Sequence, residues 1–148
     1  MTHEIAGREK GSPKQRWHAQ KRAFLGKVAK LLGLTTGQRT ISSNLGGPAV
    51  GGEVSLHTDT IYLWLKCPIT GYGSADPTAH LYEGVGIARR CKGRKDYTGE
   101  CNVSIFATNA ATPERLAAWL RAAFPTEVYQ ARQPATEQHL PRAAGPSR

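Results

Sequence analysis

Glu53-Val54-Ser55-Leu56-His57-Thr58-Asp59-Thr60-Ile61-Tyr62-Leu63-Trp64-Leu65-Lys66-Cys67 is the stretch that decides the fold. From Glu53 to Thr58 apolar and polar residues alternate at period two, and Asp59-Thr60 is turn chemistry. Ile61 to Cys67 is rich in β-branched and aromatic residues, so the two runs predict a β-hairpin. The same periodicity puts Ile61, Leu63 and Leu65 on one face of the second strand and Tyr62, Trp64 and Lys66 on the other. Pro68 stops that strand, and Gly71 to Pro77 reads as a loop.

Two more strands follow. Leu81 to Cys91 is the third, weakened or bulged at Gly84 and Gly86, and Cys101 to Thr108 is the fourth, with Val103, Ile105 and Ala107 facing one way. Upstream, Thr35 to Gly52 is polar and glycine-rich and reads as a connection. Ser12-Pro13 predicts a helix start and Gly33 its stop, with Trp17, Phe24, Leu25, Val28, Leu31 and Leu32 on one side. Arg16, Arg22, Lys27 and Lys30 lie on the other side, while Lys14 and Lys21 intrude on the apolar stripe. Thr112-Pro113-Glu114 opens a second helix whose Leu116, Trp119, Leu120, Ala123 and Phe124 recur at core-facing spacing until Pro125.

These elements predict an α+β fold in a single domain, with about four mostly antiparallel strands, an N-terminal basic helix and a C-terminal helix. The expected boundaries are a flexible N-terminus over 1–12, the domain over 13–128 and a disordered tail over 129–148, where prolines recur and apolar residues are few. Both helices need a sheet face to bury against. The face bearing Tyr62, Trp64 and Lys66 is therefore expected beneath a helix; left open, it would resemble a single-strand-binding surface.

Charge supplies the functional clue. The chain has 20 Lys and Arg against 11 Asp and Glu, a formal +9, and residues 1–34 hold +6 of it. Five of the seven residues from Arg89 to Lys95 are cationic: Arg89, Arg90, Lys92, Arg94 and Lys95. So dense a run is costly to bury, and it faces water and an anion. It lies between the third and fourth strands and is closed by Asp96-Tyr97-Thr98-Gly99, which predicts a protruding hairpin with cations at its rim and tip. Its guanidinium and ammonium groups suit phosphate oxygens, and Tyr97 suits stacking on a base. Lys21, Arg22, Lys27 and Lys30 on the first helix form a second candidate contact.

Other chemistries have little support. Cys67, Cys91 and Cys101 with His57 or His80 lack metal-ligand spacing, so neither metal nor cofactor is expected. Gly46 to Gly52 and Gly71-Tyr72-Gly73 lack the Gly-Lys-Ser/Thr ending of a phosphate loop. His57 with Asp59, and Asp76 with His80, are the available acid–base pairs, but no nucleophile can be tied to them, so the expectation is not an enzyme. No apolar run reaches the ~18 residues of a membrane span, and Met1 to Ser12 lacks the apolar segment of a secretory signal. An odd cysteine count suits a reducing compartment, and the expected location is cytoplasmic, with no membrane partner.

Gly51-Gly52-Glu53-Val54-Ser55-Leu56-His57 and Arg90-Cys91-Lys92-Gly93-Arg94-Lys95-Asp96-Tyr97-Thr98-Gly99 resemble segments of small proteins encoded by bacterial prophages and integrative elements. The resemblance carries no activity. It implies a bacterial or phage setting and two roles, a DNA-associated accessory factor or an inhibitor of host defence of the anti-CRISPR kind. The reading of the residues is thus a non-enzymatic accessory protein that binds DNA or RNA. The alternative is an inhibitor that sets the same cations against an acidic host protein surface. With ~6 phosphates neutralised on a duplex, affinity would fall by roughly three orders of magnitude between ~50 and ~200 mM salt.

Overall fold

The computed structural model describes residues 11–47, 50–70, 73–74, 84–96 and 101–133. Helix α1 spans Pro13–Leu31, a 3-10 turn Thr36–Gln38, and strands β1 Thr40–Asn44, β2 Glu53–His57 and β3 Ile61–Lys66 follow. Next come a small two-stranded pair, β4 Ile69–Thr70 and β5 Gly73–Ser74, then β6 Gly86–Arg90 and β7 Val103–Ile105. Helices α2, Pro113–Ala123, and α3, Pro125–Ala131, complete the order. The main sheet has five strands in the order β1-β2-β3-β6-β7, every neighbouring pair antiparallel. The architecture is α+β, as the alternating strands and flanking helical patterns predict.

Capping explains where α1 begins. The Ser12 hydroxyl accepts from Gln15 N–H at 3.2 Å, and Gln15 Oε1 accepts from Ser12 N–H at 2.9 Å, a reciprocal box that satisfies two orphan donors. Gly33 adopts φ +82° just past the end, a conformation costly for any residue with a Cβ. Thr112 caps α2 by a single hydroxyl bond, accepting from Arg115 N–H at 3.1 Å.

The sheet alternates as the hairpin stretch predicts. Val54, Leu56, Ile61, Leu63, Leu65, Ala88 and Ile105 are buried on one face, against Leu25, Val28 and Leu32 of α1 and Leu116 and Leu120 of α2. Phe124 and Val128 close the core from the α2–α3 corner. Burying each of these large side chains stabilises the fold by about 1.5–3 kcal/mol relative to exposure.

Several elements differ from expectation: the loop expected over Gly71 to Pro77 holds β5, paired with β4 just after Pro68, and the fourth strand, expected over Cys101 to Thr108, is confined to Val103–Ile105. The supposed connection over 35–52 contains β1, which holds only one apolar residue, Ile41, because it is an edge strand packed by that one side chain. Pro125 does not end the helical region. It takes the first position of α3, where its missing N–H costs nothing, so Tyr129 to Ala131, expected in the tail, are helical and Ala131 is buried.

A buried histidine ties α1 to the strand it covers. His18 Nε2 lies 2.7 Å from the Gly51 carbonyl and Nδ1 2.7 Å from Ser43 Oγ. A carbonyl only accepts, so Nε2 carries a proton; in the neutral ring Nδ1 accepts from the serine hydroxyl. Gly52 beside it has φ +75°, and a Cβ there would fall 2.0 Å from the Asn44 carbonyl oxygen. This close approach lets the β1–β2 loop fold back tightly.

Candidate nucleic-acid interface

The helices all pack on the face of Leu63, so among the described residues no helix covers the face of Tyr62 and Trp64. That reverses the expectation that a helix would lie over this pair. The physical reason is the stronger apolar content of the opposite row, which takes both helical layers.

Register assembles the open face. Thr40, His57, Tyr62 and Arg89 stand in one cross-strand row, and Ser42, Ser55, Trp64, Ile87 and Ser104 in the next. The Tyr62 and Trp64 rings are 5.1 Å apart, and the His57 ring lies 4.5 Å from Tyr62. The Arg89 guanidinium sits over both larger rings, 5.2 Å from Tyr62 and 5.1 Å from Trp64. Its Nη1 also reaches Asn102 Oδ1 at 3.5 Å. A planar cation on two aromatic faces is itself a stacking surface.

Beside this cluster, a groove of about 490 Å³ runs between β1 and the Cys91–Asp96 loop. Thr40, Ser42, Asn44, Glu53, Ser55, His57 and Tyr62 form its floor, and Arg94 and Lys95 its wall. A second groove, about 550 Å³, lies between α1 and the segment leading into β1. Lys27, Lys30 and Arg39 line it with Thr35 and Thr36.

The cations expected to act together are divided. Arg90 turns to the core side, pairs with Glu127 at 2.8 Å and lies 5.1 Å from the Phe124 ring. Arg94 pairs with Asp59 at 3.1 Å and donates to the Gly37 carbonyl at 3.0 Å, which anchors the loop to the 3-10 turn. Lys92 and Lys95 are exposed, and the Lys92 backbone N–H is held by Asp96 Oδ2 at 3.0 Å. Tyr97 lies outside the described residues, as do Asp76 and His80. On α1, Arg22 and Lys30 are exposed, and Lys27 stands 3.9 Å from Glu114 with both side chains well exposed, a contact of little energetic weight. Lys21 faces elsewhere, into a cleft at the opposite end of β3.

One pair at the groove floor was not legible in the sequence. Cys91 Sγ lies 3.5 Å from His57 Nε2 and 3.4 Å from the Thr58 carbonyl, which accepts the thiol proton. Burial lowers the His57 pKa; a backbone hydrogen bond with Gly93 works against this, Arg94 adds to it, and Asp96 and Asp59 oppose it. Burial raises the Cys91 pKa, opposed by the Gly93 backbone. Both shifts favour neutral forms, so the pair is a hydrogen-bonded clasp and not a thiolate–imidazolium nucleophile.

Among the described residues there is no group of three or more His, Cys, Asp or Glu side chains placed to hold a metal. No helix among them is long and apolar enough to cross a membrane. Comparison of the chain with protein-family models, curated proteins and solved structures returned no match.

Proposed function

We propose that this chain binds single-stranded nucleic acid across its open sheet face, as an accessory protein of a phage or mobile element. The observation that carries the reading is the Tyr62–Trp64 pair with Arg89 laid over it, on a face that no helix among the described residues covers. Bases stack on such platforms whatever their sequence, and the strand's phosphates need cations along a groove. Lys95 stands beside the platform in the groove wall. Lys27, Lys30 and Arg39 line the second groove, and Arg39 immediately precedes Thr40 of the first, so a strand leaving over the start of β1 meets more positive charge.

This differs from a hairpin clamped on duplex phosphates. Arg90 and Arg94 serve the fold through Glu127 and Asp59, and the lysines with Arg89 meet the ligand. The reading requires no chemistry on the nucleic acid. The setting in a mobile element rests on the resemblance of the two quoted segments.

Fluorescence anisotropy with a labelled single-stranded oligonucleotide tests the proposal. With about four phosphates neutralised on a single strand, affinity should weaken roughly fiftyfold from ~50 to ~200 mM salt. Tyr62→Ala should weaken binding by about 1–3 kcal/mol, and duplex of the same sequence should bind less well. Absence of binding at ~50 mM salt would remove the proposal. Nuclease-resistant capture of a host protein would then move the reading to the inhibitor alternative.

A further inference from the structure

A separate cleft of about 270 Å³ opens at the Leu65–Lys66 end of β3, between the first half of α1 and the turn after β7. Trp17, Leu65, Val85 and Ala110 make its walls apolar, and Lys21 supplies its positive charge. None of the described residues that line it is acidic.

Lys21 is the unusual member. It sits at an apolar-stripe position of α1, half-buried, with its Nζ 4.4 Å from the Phe24 ring centroid. Among the described residues no carboxylate lies within ion-pair distance of it. The other intruding lysine, Lys14, is satisfied by the Gly47 and Val50 carbonyls at 3.0 and 2.8 Å. A half-buried ammonium held by an aromatic face alone is incompletely compensated for lost hydration. Burial accordingly lowers the Lys21 pKa below its ordinary 10.5.

The geometry points to a small-molecule site in which Lys21 takes the carboxylate of a ligand whose flat apolar body packs against Trp17 and Leu65. A cleft this size admits a single-ring acid and excludes larger cofactors. Charge fixes the sign of the head group, and the apolar wall fixes the body. The site is independent of the nucleic-acid reading, since the cleft and the Arg94 groove share no described lining residue.

Titration of the full chain with 3-phenylpropionate, followed by NMR of the Trp17 indole N–H and the Lys21 side chain, tests the assignment. A ligand of this size should bind with a dissociation constant on the order of 1 mM. Neutral 3-phenylpropanamide should bind at least about tenfold more weakly, and so should the acid to Lys21→Met, which keeps the apolar stem. Affinity should also fall as pH rises through the Lys21 pKa, because the ammonium is lost. Equal binding of acid and amide, or undiminished binding to Lys21→Met, would overturn the proposal. So would shifts confined to residues outside the cleft, or none up to about 10 mM.

Discussion

Strand β3 presents two faces that differ by one residue of phase. Ile61, Leu63 and Leu65 are 0–3% exposed beneath the helices, whereas Tyr62 and Trp64, their immediate neighbours, are only partly buried. The closed face is aliphatic and interchangeable in chemistry; the open face carries rings, a guanidinium and hydroxyls. The contrast separates what holds the molecule together from what it offers to a partner. Removing a side chain from one face should therefore damage stability, and from the other recognition.

The sharpest way to break this division is Leu63→Ala. It should cost about 2–5 kcal/mol in urea unfolding, because a fully buried leucine leaves a cavity the sheet cannot close. Tyr62→Ala should cost less than about 1 kcal/mol in the same assay. Similar losses at both positions would mean that the open face is structural as well.

The His57–Cys91 clasp gives an intermediate effect through pH. The folded His57 pKa is below its ordinary 6.5, so the unfolded chain takes up the proton first and stability falls as pH drops below that value. The folded Cys91 pKa is above its ordinary 9.0, so the unfolded chain ionises first and stability falls as pH rises past it. Unfolding midpoints should be highest between these limits, and His57→Gln should flatten the acid side. An unchanged acid limb would place its cause elsewhere.

The smallest effect tests the boundary between the faces. Arg94 and Asp59 are both partly exposed, so Asp59→Asn should cost only about 0.2–1 kcal/mol. Releasing the guanidinium into the groove should tighten oligonucleotide binding by roughly two- to fivefold, read by anisotropy. Weaker binding would show that the pair positions the loop for its ligand.

Much of the fold was legible because it is written in local periodicity. The β2–β3 alternation, the Ser12 cap and the α2 stripe all follow from residues within a few positions of one another. Edge strand β1 was hidden because a strand that buries only Ile41 has no apolar alternation to detect. Pro125 was ambiguous because one residue type ends a helix and begins another. The cationic run was visible as composition, but its partners were not. Arg94 meets Asp59 and Arg90 meets Glu127 across 35 and 37 residues of sequence, and only the tertiary fold decides such pairings. The same holds for Cys91 and His57, 34 residues apart.

Gly52 shows how an absent atom can govern a surface. With the Asn44 oxygen 2.0 Å from where its Cβ would lie, every other amino acid at this position must first push the outermost strand away. Mutational tolerance should therefore be low at this chemically blank site. The geometry of the groove beside β1 depends on its remaining blank.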